Sequence, residues 1–281
     1  MPGDILRYAF LRQALETGSI VAVLAAFVGF FLLARGLTFA AHALPNIGFA
    51  GAAGAVLVGV QPVYGLFAFT ALAALGIGAF GEELRERDIS VAVIMTLCLG
   101  LGFLFLSLYS GYAQRAYGIL FGSILGVSAD DVRVTALAAI PTLAALLFLY
   151  RPLLFCSVDP QGAAARGLPV RGIALLFLCL SAVVVSLSIQ MMGALLVFTL
   201  LVGPSATALR LTRSPRTAIL LAAALGLAYV WAGVAIAALD GRLPVSFIVA
   251  TIAFLVYAPL RLGRGMAGRR SPRRRASGEG I

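Results

Sequence analysis

Residues 18–34 read GSIVAVLAAFVGFFLLA, an uninterrupted run with neither charge nor amide, closed by Arg35. A helix of that length rises about 25 Å, close to the ~30 Å hydrocarbon core of a bilayer. Comparable runs follow at 38–60, 62–80, 91–109, 134–150, 172–188, 191–209, 217–239 and 243–260, with a shorter piece at 117–127. The chain is 62% hydrophobic and 11% charged, whereas a soluble domain is about half apolar and a quarter charged. The pattern predicts an all-α polytopic membrane protein of about eight to nine transmembrane helices plus a short half-helix. Residues 1–262 are expected to form one transmembrane domain. Residues 263–281 are mostly arginine, glycine, serine and proline with little apolar surface to bury, and are expected to be a disordered basic cytoplasmic tail.

Absences narrow the function. The chain has no lysine, so it has no phosphate-loop lysine and cannot hydrolyse ATP by that device. Between Glu16 and Glu82 there is no acid, so the first three runs lack the carboxylates of an intramembrane proton relay. His42, the only histidine, is the one titratable, metal-competent side chain clearly inside a span. The net charge of +10 is not a nucleic-acid footprint: seven of the 21 arginines lie between Arg261 and Arg275, and most others sit in short connections. That is how cytoplasmic loops facing anionic lipid are built. Cys98, Cys156 and Cys179 are widely separated, which gives neither a disulfide framework nor a zinc knuckle. Glu16 precedes the first run without a convincing small-residue cleavage site, so that run reads as a retained span and not a signal peptide.

Arginine placement orients the spans. The segments 151–171 and 210–216 and the tail are expected on the cytoplasmic side. Counting backwards puts Arg35 and residues 82–88 inside, and Asp130 and Asp131 outside. Nine spans with the tail inside leave the amino terminus outside, which Arg7 and Arg12 oppose. Pro45 and Pro204 interrupt two runs, and glycine is frequent throughout. Broken helices survive in bilayers where freed backbone is buried in protein or lines a cavity, which favours a transporter over a passive anchor or scaffold. In the 117–127 piece, Gly118, Gly122 and Gly126 share one helical face, a stripe for close helix packing.

One polar island stands between two spans, at residues 159–167. Asp159 suits an N-cap, Pro160 the first helical position, three alanines continue the helix, and Gly167 fits a left-handed C-terminal position before Pro169. A short cytoplasmic helix with no core of its own is either an interfacial connector or a docking element that another protein grips.

Four stretches in register resemble the permease subunit of the bacterial zinc and manganese ABC importer family. Asp159, Pro160, Ala163 and Gly167 match its Asp-Pro-x-x-Ala-x-x-x-Gly coupling helix. Ala41-His42-Ala43 with Leu44-Pro45 resembles its Ser-His-Ala and Leu-Pro, followed by the small residues of 48–54. Leu120-Phe121-Gly122-Ser123 resembles its Leu-Phe-Gly-Ser, and Gly193-Ala194-Leu195-Leu196-Val197 with Pro204-Ser205-Ala206-Thr207-Ala208 resembles its late Gly-x-Leu-Leu-Val and Pro-Ala-Ala-Thr-Ala run. The resemblance covers about residues 5–260. It implies a type II ABC importer-like permease in the bacterial cytoplasmic (inner) membrane, working as a homodimer. It also implies a separate cytoplasmic ATPase subunit, an extracytoplasmic metal-binding protein, no enzymatic activity in this chain, and no permanently bound cofactor.

The family commonly places an aspartate four residues before the histidine; here that position is Thr38. A threonine and an imidazole suit zinc better than the harder manganese ion, so zinc is the expected cargo and His42 a transient pathway ligand. Gln190, Met191, Met192 and Cys98 are softer candidates to assist it. The alternatives are a permease for iron chelates, haem or cobalamin, and an ion-coupled secondary transporter, which the missing carboxylates oppose.

Overall fold

The computed structural model describes residues 8–79, 84–109, 127–239 and 243–269. Among these, every regular element is a helix: α1 (Ala9–Ala34), α2 (Thr38–Leu57), α3 (Pro62–Ala79), α4 (Leu84–Ser107), α5 (Ala129–Val158), α6 (Pro160–Ala165), α7 (Val170–Met192), α8 (Ala194–Leu211), α9 (Pro215–Leu239) and α10 (Val245–Arg269). Eight are long and apolar enough to cross a membrane, and the apolar helix Pro62–Gly78 is shorter. The 117–127 piece with Gly118, Gly122 and Gly126 lies outside the described residues.

Three boundaries depart from the sequence expectation. α1 begins at Ala9, ahead of its apolar run, where Arg12 and Glu16 pair at 3.2 Å one turn apart. α5 passes through Arg151 and Pro152 to Val158, although a loop was expected from 151. Proline removes one backbone bond, a loss that helices in bilayers tolerate. α10 continues to Arg269, so the boundary expected at 262 falls inside a helix, and residues 270–281 lie outside the described set.

α2 is the packing axis: 78% of its span is buried, against 17% for α4. The cause is small side chains. Gly51 of α2 and Gly65 of α3 lie so close that a methyl group on either would strike the other's carbonyl oxygen. Without a hydrophobic drive between helices in lipid, such backbone-level approach is what brings spans together. Gly48 beside Thr70, and Gly51 beside Gly65, make α2 and α3 antiparallel. Gly54 beside Phe105 and Gly102 beside Phe49 make α2 and α4 parallel.

The contacts also fix depth. Thr70 and Ser186 share a buried hydroxyl hydrogen bond of 2.6 Å, and Gly78 packs on Leu175 and Leu178, so α3 runs antiparallel to α7. Trp231 Nε1 donates to Ser19 Oγ at 2.9 Å, and Ala26 clusters with Ala222, so α1 runs antiparallel to α9. At its far end α1 places Phe27 and Phe31 against Tyr150 of α5, and Phe31 against Phe177 of α7, near the helix ends that flank α6. Arg35 therefore lies towards the α6 side, and the start of α1 lies opposite it. Arg12, which opposes this topology, pairs with Glu16 at an exposed position, and Arg7 lies outside the described residues.

Candidate functional site

His42 stands in the second turn of α2, on the stripe that Thr38, His42 and Asn46 form at four-residue spacing. Its depth follows from neighbours. Ser186 lies six residues before the end of α7, its partner Thr70 touches Gly48, and His42 lies six residues back along α2. At 1.5 Å per residue the imidazole sits roughly 18 Å below the outer end of α7, near the middle of a ~30 Å core.

Three helices shape its surroundings. Asn46, the only asparagine in the chain, donates through Nδ2 to the His42 carbonyl at 2.8 Å. The same Nδ2 stands 3.5 Å from His42 Nε2 and 3.8 Å from Met95 Sδ of α4. In the tautomer where Nδ2 also donates to Nε2, Asn46 holds the Nε2 lone pair, and a cation takes that nitrogen only by displacing the amide. Phe198 of α8 stacks edge-on at 4.8 Å between ring centroids, and Phe39 lies at 6.4 Å. The ring is half-buried, between an aromatic wall and a seam carrying an amide and a thioether. Every donor is neutral, so a cation here gains coordination and no charge pairing. Imidazole and thioether suit borderline and soft ions. Pro45 lies inside α2 and does not end it.

The other expected ligands fall elsewhere. Thr38 is an exposed residue of the first turn. Met192 is buried. Gln190 lines a separate cleft of about 260 Å³ with Gln61, Pro62, Leu66 and Ile189. Cys98 lines an apolar cleft of about 210 Å³ between α3 and α4. The side chain of Met191 is outside the described set. Among the described residues no three His, Cys, Asp or Glu side chains converge. Sequence reading missed Asn46 and Met95; a lone asparagine one turn after the lone histidine was the available signal.

At the cytoplasmic side α6 has the expected caps. Asp159 Oδ1 accepts from the Gly162 N–H at 2.8 Å, and Pro160 opens the helix. Leu168 N–H returns to the Ala163 carbonyl and Gly167 N–H to Ala164, with Gly167 at φ 79. Ala163 is fully buried, and the Arg166 guanidinium lies 5.0 Å from the centre of the Phe155 ring of α5. Gly162 was not anticipated: a Cβ there would collide with the Asp159 carboxylate that caps it. At the opposite side, Gly193 (φ 79, ψ 159) is the sole residue between α7 and α8. Only glycine takes that conformation readily.

The family model described as the ABC 3 transport family matches residues 7–260. The chain belongs to the ABC 3 transport family. It is 30% identical over 232 residues to the manganese transport system membrane protein MntC of Halalkalibacterium halodurans, covering 82% of this chain and 80% of the relative. It is 25% identical over 211 residues to the high-affinity zinc uptake system membrane protein ZnuB of Haemophilus influenzae, covering 75% and 81%. The fold matches a chain of PsaBC from Streptococcus pneumoniae, solved with a Fab, at a TM-score of 0.81 and 25% identity over 92% of this chain and 93% of that one. This ABC 3 member is accordingly a multi-pass permease of the bacterial inner membrane, in a family that includes manganese and zinc importers.

Proposed function

We propose that this permease forms the membrane pathway of an ATP-driven importer that takes up zinc. Two copies would enclose the pathway, each resting on a cytoplasmic ATPase subunit at 159–167 through Asp159, Pro160, Ala163 and Gly167, with an extracytoplasmic metal-binding protein delivering the ion. ATP-driven closure of the ATPases would move α6 and switch the pathway between sides.

The observation that carries the zinc reading is the neutral set at mid-depth, His42 with Asn46 and Met95, in a sequence with no acid between Glu16 and Glu82. A site without charge binds weakly and releases readily, which suits passage. Manganese is the second reading, favoured by the 30% identity to MntC of Halalkalibacterium halodurans. Uptake of radioactive zinc and manganese by cells carrying or lacking the gene, in metal-depleted medium, separates the two. Zinc uptake that falls on deletion, with manganese uptake unchanged, supports the proposal; manganese alone rescuing growth overturns it.

A further inference from the structure

α6 is fastened to α5, and the fastening leads to the pathway helix. We infer that Arg166, Phe155 and Tyr150 form a transmission line that carries movement of α6 to the α1–α2 turn and so to His42. The inference rests on the importer reading and names the positioning residues that reading leaves open.

The first link is the Arg166 guanidinium over the Phe155 ring at 5.0 Å, beside the buried Ala163. A planar cation stacked on an aromatic face slides less freely than an apolar contact, because the attraction falls off away from the ring. The second link is Pro152, between Phe155 and Tyr150 inside α5. Proline removes the backbone bond to the carbonyl four residues earlier, which makes this, with Pro141, one of two positions where α5 can act as a joint. Tyr150 sits on the lip of that joint, its ring edge-on to Phe27 at 6.2 Å and to Phe31 at 6.0 Å. Phe31 in turn stacks on Phe30 and Phe177. A bend at Pro152 would thus press on Phe27 and Phe31 near the end of α1.

The third link is stiffness beyond that point. Gly36 N–H bonds the Leu33 carbonyl, and Leu37 N–H bonds the Leu32 carbonyl at 2.7 Å. Leu37 is buried, and α2 begins at the next residue. A turn this short, closed by two bonds around Gly36, links displacement of α1 to α2. His42 follows five residues after Leu37, wedged against Phe198 of another helix. Packed interfaces of this kind have discrete arrangements and do not deform continuously, so a small shift becomes a change of state.

The test uses the complete permease–ATPase complex in proteoliposomes containing the extracytoplasmic binding protein, with zinc as cargo. It reads zinc moved per ATP hydrolysed and the fraction of permease retaining its ATPase. Arg166→Gln and Tyr150→Leu should each lower the transport ratio about fivefold or more, a coupling loss of ordinary size, with ATPase retention unchanged. Tyr150→Phe, which keeps the ring, should restore it, and Arg166→Lys, which keeps the charge but not the planar stack, should restore it only in part. An unchanged ratio in Arg166→Gln overturns the inference, and that exposed position decides the matter if Tyr150→Leu does not fold. Loss of ATPase binding in Arg166→Gln also overturns it, since Arg166 would then be a docking residue. A wild-type complex whose hydrolysis moves no zinc overturns the importer reading itself, an outcome distinct from both.

Discussion

The mid-membrane environment of His42 and the short helix α6 are built on opposite principles. α6 is local: its N-cap, proline, buried alanine and terminal glycine fall within nine consecutive residues, and its hydrogen bonds close on themselves. The His42 environment is assembled from α2, α4 and α8, with Met95 and Phe198 distant in the chain. The difference teaches where each is fragile. α6 fails when one backbone conformation is denied. The His42 region fails when the helices that surround it cannot approach.

The largest effect should come from that approach. Gly51→Ala puts a methyl group against the Gly65 carbonyl, and backbone cannot step aside as a side chain does. Overpacking of this kind costs about 1–3 kcal/mol or more, and most of the protein should be lost from the membrane fraction on an immunoblot. A normal level would show that the α2–α3 seat is looser than its geometry.

His42→Ala should leave membrane levels intact and reduce zinc uptake by about tenfold, the equivalent of ~1.4 kcal/mol in transport free energy. Uptake at the wild-type rate would remove His42 from the pathway. Gly167→Val should preserve insertion while weakening ATPase association or uncoupling hydrolysis from uptake. A Cβ there meets no neighbour, so the expected strain is that of the left-handed backbone, on the order of 1–2 kcal/mol. Full coupled uptake by this variant would end the role given to α6. Asn46→Asp sharpens the other half of the comparison. A hard carboxylate beside His42 should shift the zinc-to-manganese uptake ratio towards manganese by a few-fold, and an unmoved ratio would show that selectivity is set elsewhere. The smallest effect is expected from truncation after Arg269, where uptake per permease should be unchanged; a deficit would give the basic tail a role that its composition does not suggest.

Most of the architecture was legible because the bilayer dictates it: residues 18–34 or 217–239 permit one economical solution, a spanning helix. The ends of those helices were less legible. Arg12 reads as a loop-side signal although it already lies within α1, and Arg151 with Pro152 read as a loop although α5 runs through both. In α6 the chemistry is sequential, so caps written in consecutive residues could be read directly. Around His42 it is not. Nothing in the spacing of Met95 announces that it will stand opposite Asn46, because that meeting depends on glycines that let α2 and α4 close together. Gln190 and Cys98, chosen by residue type alone, lie in separate clefts.

Gly193 is the entire connection between α7 and α8, and only residues 58–61 separate α2 from α3 on the same side. That part of the extracytoplasmic surface consequently carries no loop between α7 and α8, and its relief is the cleft of about 260 Å³ between Gln61 and Gln190. A protein that lands there meets a recess and no loop, and must bring the protruding part itself. No epitope or protease site fits between α7 and α8 without prising two spans apart, so tags that report the sidedness of this permease belong at other connections.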